Sequence, residues 1–291
     1  MRVTMLSEVQ PRPRRVAVGE FDGVHLGHRE VNRGSDTVLT FEPHPLRVVR
    51  PEAAPRLLTS LEVKAELIDR LGVEELVVIP FDQGFAKQSP QEFVDQVLVG
   101  TLQATHVAVG ENFRFGHRAA GDPALLEADE RFATRVVPLV EVDGEIVSSS
   151  HIRGLVLAGE VEAAQRFLGG PFKMRGEVVE GDHRGRELGF PTANLVPDEA
   201  LVYPGHGVYV AHADGACAAV NVGVRPTFGT GRAVLVEAYL LDRDVDLYGK
   251  TLTVEFLRRL RGERRFASID ALVEQMRIDV ARTRELCSGG P

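Results

Sequence analysis

Apolar positions in the first 168 residues follow two alternating patterns. Short continuous apolar runs, typical of buried parallel strands, alternate with stretches of helical period. Leu61, Ala65, Ile68 and Leu71 recur at helical spacing, and Ser89 begins a capping box with a first-turn proline. Strands separated by helices predict an α/β domain with a doubly wound parallel sheet, which binds ligands beyond the carboxyl ends of its strands. The predicted strands cover residues 16–19, 37–41, 76–80, 106–110 and 136–142.

Glycine turns punctuate the second half of the chain, where no helices separate the predicted strands. This pattern predicts an antiparallel β-barrel. Ser268 caps a C-terminal amphipathic helix that ends near Leu286. We place the boundary between an α/β domain over residues 1–171 and a barrel domain over residues 172–291. The predicted barrel strands cover residues 175–180, 207–213, 216–224, 234–241 and 251–257.

The composition of the 291-residue chain is that of a globular protein, with 44% apolar and 26% charged residues. A net charge of −8 disfavours nucleic acid as a partner. No stretch resembles a signal peptide or a membrane span, which predicts a cytoplasmic protein without a membrane partner. Cys217 and Cys287 lack CxxC spacing, so the sequence predicts neither a disulfide framework nor a thiolate zinc site.

The segment GEFDGVHLGH, residues 19–28, directly follows the first predicted strand and leads into a helix. His25 and His28 lie three residues apart and can reach one side of the first helical turn, where backbone N–H groups favour an anion. Together they predict a triphosphate site. A purely structural role for the two histidines is the alternative.

Three further segments of the first half carry polar groups suited to a nucleotide or a flavin. The serines at 148–150 and Arg153 place hydroxyls and a guanidinium before a predicted helix, although a polar helix start has the same composition. In GENFRFG, Asn112 offers an amide for hydrogen bonding, and the neighbouring ring of Phe113 could contact a flat ligand. Packing of that ring in the core is an equally good explanation for Phe113. His44 lies between two prolines on a rigid extended turn and, taken by itself, is an ordinary loop histidine.

The second half contains a glycine-rich basic loop within GEVVEGDHRGRELGFPTANL, residues 176–195. Gly181 and Gly185 permit close approach of the backbone to a ligand. Thr192 and Asn194 present a hydroxyl and an amide oxygen, which are hard ligands suited to Mg²⁺ and phosphate. A glycine-rich hairpin with a capped turn is the alternative interpretation.

Taken in order along the chain, these motifs resemble those of bacterial bifunctional riboflavin kinase/FAD synthetases. GEFDGVHLGH, TFEPHP at 40–45, GENFRFG and VSSSHIR at 147–153 are similar to the adenylyltransferase motifs of that family. Residues 176–195 and NVGVRPTF at 221–228 resemble the riboflavin kinase signature. The resemblance implies an N-terminal Rossmann-like nucleotidyltransferase domain and a C-terminal riboflavin kinase barrel. It also implies Mg²⁺ as cofactor, and ATP, riboflavin, FMN and FAD as small-molecule substrates and products.

The resemblance further implies roles for individual residues. Glu237 shares a strand face with Leu235 and Tyr239 and matches the family's catalytic carboxylate, which would take a proton from a primary hydroxyl. The alternative role for Glu237 is that of a structural carboxylate in the barrel. Glu255 alternates with threonines on a wet strand face and is a weaker candidate for the base. His25 and His28 would act in adenylyl transfer. Nucleotide or phosphate contacts are expected at Gly19, Phe21, Asp22, Gly23, Gly27, Ser149, Ser150, Arg153, Gly181, Gly185, Thr192 and Asn194, and flavin contacts at His44, Asn112 and Phe113.

The connection after the first motif is shorter than is usual in the family. Only eleven residues separate His28 from Thr40, which still allows a βαβ crossover with a short helix. The sequence predicts a bifunctional enzyme that phosphorylates riboflavin to FMN and adenylates FMN to FAD. The alternatives are a monofunctional riboflavin kinase with an impaired first domain and a non-catalytic flavin-binding regulator. A regulator would not need a base or magnesium ligands.

Overall fold

The computed structural model describes residues 1–180, 188–227, 231–243, 245 and 247–288. The chain forms two compact units, Met1–Ser149 and Ser150–Pro291. The second unit begins at Ser150, within the first of the two helices that precede the barrel, whereas the boundary predicted at residue 171 marks the start of the barrel itself. That boundary stays a prediction. Within the described ranges, no helix combines the length and the apolar character that a bilayer crossing requires.

The first unit is built on a six-stranded sheet in which all neighbouring strands are parallel. Its strands are β1 (Arg2–Met5), β2 (Arg14–Val18), β3 (Thr37–Glu42), β4 (Glu75–Pro80), β5 (Ala104–Gly110) and β6 (Ala133–Val137). Their order across the sheet is β1-β4-β3-β2-β5-β6. The strand order therefore reverses between β2 and β5, which is where doubly wound sheets bind their ligands.

Short helices connect these strands. The capping box predicted at Ser89 is confirmed, because its hydroxyl accepts the Glu92 amide at 3.2 Å and the Glu92 carboxylate accepts the Ser89 amide at 2.7 Å. The helices are α1 (Leu26–Asn32), α2 (Pro45–Val49), α3 (Leu61–Asp69), α4 (Pro90–Glu92), which continues as a π-helix over Phe93–Thr101, and α5 (Pro123–Glu127). Single 3-10 turns cover Leu6–Glu8, Pro51–Ala53, Phe85–Lys87 and His117–Ala119.

Both faces of the sheet are buried. Along β2, Val16 and Val18 belong to one apolar cluster, while Ala17 between them belongs to another. Along β3, Leu39 and Val38 divide in the same way. Since successive side chains of a strand point to opposite faces, the sheet has a core on each side, as the continuous apolar runs predict.

The strand predicted over residues 136–142 is wrong in its extent. β6 ends at Val137, and a separate two-stranded hairpin follows, formed by β7 (Glu141–Val142) and β8 (Glu145–Ile146). Pro138 interrupts the run because proline has no backbone N–H for a sheet hydrogen bond. Asp143 and Gly144 both have positive φ, at 53° and 82°, which is the backbone of a tight hairpin turn.

The second unit contains a closed antiparallel barrel, as the sequence predicts. Its strand order is β10-β13-β12-β11-β14-β9. Two helices, α6 (Ser149–Ala158) and α7 (Val161–Leu168), precede the barrel, and the long α8 (Ile269–Ser288) follows it. The strands are β9 (Phe172–Val179), β10 (Ala193–Leu195), β11 (Gly207–Ala213), β12 (Ala216–Thr227), β13 (Gly231–Leu240) and β14 (Thr251–Arg261).

The barrel wall has an apolar interior and a more polar outer face. Val220, Val236 and Ala238 are fully buried, whereas Glu237 and Asn221 alternate with them and face outward. The helix α8 packs across the outer face of β11 and β12. A space bounded by this helix and the barrel wall therefore includes Glu237 and Asn221.

Candidate active sites

The first candidate site lies at the carboxyl edge of the parallel sheet. The segment of residues 19–28, here called the histidine loop, leaves β2 and enters α1. His44 follows β3, and Asn112 follows β5. Because β2 lies between β3 and β5 and all three run parallel, their carboxyl ends bring these segments to one edge of the sheet. His44 caps α2 by accepting the Leu46 amide through Nδ1 at 3.2 Å, and Asn112 is exposed.

His25 and His28 form a stacked pair within the histidine loop. Their ring centroids lie 3.5 Å apart, with an angle of 15° between the planes. His25 is the N-cap of α1, and its Nδ1 accepts the backbone N–H of His28 at 3.3 Å. When its Nδ1 accepts a hydrogen bond, a neutral imidazole carries its proton on Nε2. The Nε2–H of His25 is therefore a donor that can serve a ligand oxygen.

Both imidazoles are neutral at physiological pH. The pKa of His25 is lowered to about 4, chiefly by burial and to a smaller extent by Arg29, against a backbone hydrogen bond that raises it. Burial holds the pKa of His28 well below its usual range, with smaller contributions from His25 and Lys64. The buried Nδ1 of His28 has no hydrogen-bond partner among the described residues. An oxygen-rich ligand would satisfy an atom that the loop leaves unsatisfied.

Asp22 fixes the conformation of the histidine loop through hydrogen bonds. Its carboxylate accepts the backbone amides of Leu58 at 2.7 Å and Thr59 at 3.2 Å, and its carbonyl accepts the Ser149 hydroxyl at 3.0 Å. The next amide, that of Gly23, donates to the Thr59 hydroxyl at 3.1 Å. These contacts anchor the loop. The Asp22 carboxylate, for which the sequence predicts a nucleotide contact, is thus bound to backbone amides of the protein.

Phe21 and the glycines set the space available to the two imidazoles. The buried ring of Phe21 packs edge-on against His28 at 5.3 Å. A Cβ on Gly19 would lie 3.1 Å from the Phe21 ring, and a Cβ on Gly27 would lie 3.3 Å from the His25 ring. Gly23 has a φ of 85°, which disfavours any other residue. The glycines of the motif thus allow the close ring packing.

A group of charged side chains lies below the histidine loop. Lys64 is buried, and its Nζ donates to the Thr40 hydroxyl at 3.3 Å. Burial raises the pKa of Glu20 to about 8; Lys64 lowers it, and Asp22 and Glu42 raise it further. Glu20 is consequently protonated at neutral pH and adds no negative charge beside the predicted phosphate site.

We expect ATP use at this site to weaken as Glu20 ionises. The pKa in the folded chain lies above the ordinary value of 4.5, so the protonated form is favoured by folding and is lost as the pH rises through about 8. The new carboxylate then repels the phosphates. The Kd of a nucleoside triphosphate at this site should rise several-fold from pH 7 to pH 9 in the wild type and much less in Glu20→Gln. A parallel rise in both proteins would contradict this role.

The remaining predicted residues of the first site belong to both compact units. Ser149 belongs to the first unit and contacts Asp22, whereas Ser150 and Arg153 lie on α6 at the start of the second unit. The ring of Phe113 stacks on Phe115 at 5.5 Å with an angle of 16° and packs against the apolar core. Core packing therefore accounts for the placement of Phe113.

The second candidate site is a cavity of about 700 Å³ beside the barrel wall, here called the barrel cavity. Its lining includes Thr192, which precedes β10, and side chains of β12, β13, β14 and α8. Arg261 and Asp279 close one side as an ion pair, with Nη2 and Oδ2 2.7 Å apart. The polar residues that line the cavity include Thr192, Asn221, Glu237, Tyr239, Arg261 and Asp279.

Glu237 lies between two asparagines on the barrel wall. Asn194 on β10 and Asn221 on β12 are its partners in the two neighbouring strands. The Nδ2 of Asn221 donates to Glu237 Oε2 at 3.0 Å. Side chains opposite each other on adjacent strands share a face, so Asn194 is on the same face and is itself buried. The wall thus presents one carboxylate flanked by two amides.

Glu255 lies on the outer face of β14, as the sequence predicts, and its side chain is 30% exposed. It is the strand partner of Lys173 and forms an ion pair with the ammonium group of that lysine. Its neighbour Thr253 accepts a hydrogen bond from Arg175 at 3.1 Å. The Glu255 carboxylate is therefore engaged by a neighbouring side chain of the barrel wall. Glu237, by contrast, forms no ion pair with a described side chain.

The structure brings Thr192 and Glu237 to the same cavity and Asn194 to the strand beside it. The predicted phosphate contacts Gly181 and Gly185 lie outside the described residues, and so does Asp246, a further carboxylate that the sequence offers as a candidate base after Glu237 and Glu255. Sequence analysis did not single out Asn221 or the Arg261–Asp279 pair. Asn221 begins the NVGVRPTF motif, but its pairing with Glu237 depends on strand register, which that motif does not reveal.

Comparison with known proteins gives matches in both halves. A family model for FAD synthetase matches residues 7–151, and one for riboflavin kinase matches residues 168–287. Relatives described as bifunctional riboflavin kinase/FMN adenylyltransferase occur in Bacillus subtilis (strain 168), at 37% identity over 91% of this chain and 89% of the relative. The relative in Pseudomonas fluorescens is 38% identical over 93% of this chain and 92% of its own length. A crystal structure described as a macrolide-efflux protein from Streptococcus pneumoniae has a TM-score of 0.88 at 30% identity, covering 98% of this chain and 99% of that chain.

Proposed function

Because the chain belongs to the bifunctional riboflavin kinase/FMN adenylyltransferase family, we propose that the barrel cavity phosphorylates riboflavin and the histidine loop adenylates the resulting FMN. The chain is an enzyme with both activities, converting riboflavin to FMN and FMN to FAD. The observation that carries the two-site proposal is that the candidate residues for the two reactions belong to different compact units. His25 and His28 belong to the first compact unit, and Thr192 and Glu237 belong to the second.

In the kinase reaction Glu237 acts as the general base. It accepts the proton of the primary hydroxyl of riboflavin while that oxygen attacks the γ-phosphorus of ATP, and ADP leaves. Asn221 donates to one carboxylate oxygen and so fixes the side chain, which orients the other oxygen for the substrate. The ion pair of Lys173 with Glu255 supports Glu237 as the base, because it neutralises the competing carboxylate.

Mg²⁺ fits the donor set around Glu237. The Thr192 hydroxyl, the Asn194 amide oxygen and the Glu237 carboxylate are all oxygen donors, which magnesium prefers. Thr192 and Asn194 would hold the ion together with phosphate oxygens of ATP. When bound, Mg²⁺ neutralises charge on the phosphates. Thr192 and Asn194 keep the nucleotide beside Glu237.

Asn194→Ala should raise the Mg²⁺ concentration needed for half-maximal riboflavin phosphorylation. Loss of a supporting oxygen near a metal typically weakens metal binding by about 10–100-fold. The measurement is FMN formation over a magnesium titration at saturating riboflavin, with FMN adenylation by the same variant as the control. Unchanged dependence on magnesium and ATP would remove Asn194 from this role.

In the adenylyltransferase reaction, a phosphate oxygen of FMN attacks the α-phosphorus of ATP, and pyrophosphate leaves. The attacking phosphate is already ionised, so no strong base is required. The neutral imidazoles of His25 and His28 donate hydrogen bonds to the α- and β-phosphates and to the departing pyrophosphate. Ser149, whose hydroxyl contacts the histidine loop, serves the phosphates, and His44 and Asn112 would contact the flavin.

A monofunctional kinase is the competing proposal, because α1 has only seven residues. The stacked His25–His28 pair and the capped start of α1 favour a working adenylyltransferase in spite of the short crossover. ATP as a common substrate fits a cytoplasmic location for both reactions. The experiment is to supply FMN and Mg-ATP directly and to measure pyrophosphate and FAD. Equal amounts of both products show a working adenylyltransferase, and the absence of both would favour the monofunctional kinase.

A further inference from the structure

Three metal-ligating side chains meet outside the two sites described above. His212 lies on β11, Cys217 on β12 and Cys287 on α8. One ring nitrogen and the two sulfur atoms all lie within 4.8 Å of one another. Both cysteines are free thiols, and all three side chains are half-buried. The fold thus brings Cys287 of the C-terminal helix to a histidine and a cysteine of one hairpin, which gives one nitrogen and two sulfur ligands.

The three side chains are held by regular structure. His212 and Cys217 are partners in the β11–β12 ladder, so the two residues lie directly opposite each other. Cys287 is brought to them by α8, and its Sγ lies 3.9 Å from the carbonyl oxygen of Ala211. Helix α8 is fixed to β14 by the Arg261–Asp279 ion pair. Sites on strands and helices hold ligand geometry better than sites on loops.

We propose that His212, Cys217 and Cys287 form a Zn²⁺ site that fastens the end of α8 to the barrel. Thiolate and imidazole ligands select Zn²⁺ over Mg²⁺, which prefers oxygen. Tetrahedral zinc with bonds of about 2.0–2.3 Å requires ligand atoms roughly 3.3–3.8 Å apart, a spacing compatible with this cluster. The two thiols bind as thiolates and release their protons to solvent. Water completes the coordination.

The site has a consequence for the barrel cavity. Met276, Asp279 and Val280 of α8 line that cavity. Cys287 follows Val280 by seven residues, about 10 Å along a helix. Zinc at Cys287 would therefore stabilise the helix that forms one wall of the cavity. This role is independent of which substrate the cavity binds.

The sequence prediction that no thiolate zinc site exists considered only the spacing of the cysteines. Cys217 and Cys287 are separated by β13, β14 and most of α8, and the third ligand is a histidine. Sequence motifs for zinc detect ligands that lie close together along the chain. Here His212 and Cys217 become neighbours in the β11–β12 hairpin, and Cys287 joins them only when α8 packs on the barrel.

Cobalt substitution tests the proposal on the full-length chain. The reduced, metal-free protein is titrated with Co²⁺ in excess Mg²⁺, which keeps oxygen-rich sites filled. We expect one equivalent to bind with a thiolate-to-cobalt charge-transfer band in the ultraviolet and the visible bands of tetrahedral cobalt, and Zn²⁺ to displace it. Loss of a group that only orients a metal ligand typically weakens metal binding by roughly 10–100-fold. We expect a larger loss of zinc affinity from each of three ligand variants, Cys217→Ser, Cys287→Ser and His212→Asn.

Asp242→Asn is the matched control. Asp242 forms an exposed ion pair with Arg284 of α8, at 2.7 Å, so the variant loosens the same end of the helix without removing a ligand. It should keep the thiolate-to-cobalt band. Retained FMN formation by the serine variants shows that they fold. The proposal is overturned if wild type shows no such band, if the band survives in both serine variants, or if Cys217 and Cys287 form a disulfide in reductant.

Discussion

Replacing Glu237 with glutamine should reduce the rate of riboflavin phosphorylation by about 10²–10⁴-fold, equivalent to roughly 2.7–5.4 kcal/mol at 1.36 kcal/mol per decade. Glutamine preserves the shape of the side chain and can still pair with Asn221, but it cannot accept the proton of the substrate hydroxyl. Binding of riboflavin and ATP should change much less. The measurement is single-turnover FMN formation at saturating substrates, which separates the chemical step from product release.

Glu255→Gln is the matched control for this prediction. Glu255 is also a barrel carboxylate, but its ion pair with Lys173 gives it a structural role. Its replacement should leave the rate of phosphorylation within a few-fold of the wild type. Supplied with FMN, the Glu237→Gln variant should still form FAD. If its kinase turnover stays within a few-fold of the wild type, the base is another group, with Glu255 and Asp246 the next residues to test.

Replacing His28 with alanine should lower FAD formation from FMN by about 10²–10³-fold or more, the loss typical of removing one positioned donor from a developing oxyanion. The variant also loses the stacking partner of His25. Riboflavin phosphorylation should persist, because Glu237 belongs to the other compact unit. Both rates are measured on one preparation, with riboflavin and FMN as separate substrates.

His106→Ala is a suitable control for His28→Ala. His106 is exposed near the amino end of β5, whereas the histidine loop lies at the carboxyl edge of the same sheet. Its replacement should alter neither activity. Equal loss of both activities in His28→Ala would contradict the assignment of the two reactions to two sites.

Much of the α/β fold follows from local sequence. The apolar runs predict β3, β4 and β5 to within two residues, because strands buried on both faces need continuous apolar sequence. Three short strands were missed. β1 has four residues, mostly exposed, β8 has two and β10 has three. Such strands are defined by their partners, and their own sequences carry too little periodicity to predict them.

The candidate sites divide in a similar way. The histidine loop could be predicted because its residues are neighbours in sequence and follow a strand. The environment of Glu237 could not, since Asn221 reaches it through the register of β12 and β13, and Arg261 and Asp279 meet only when α8 packs on the barrel. The same packing brings His212, Cys217 and Cys287 together. Contacts between distant segments require the fold.

Incubating the purified chain with riboflavin and Mg-ATP, and separating the flavins by chromatography over time, tests the two-site mechanism most directly. FMN should appear first and FAD should follow at its expense, since one chain carries both reactions in sequence. Accumulation of FMN without FAD, or riboflavin that remains unchanged, would contradict that mechanism.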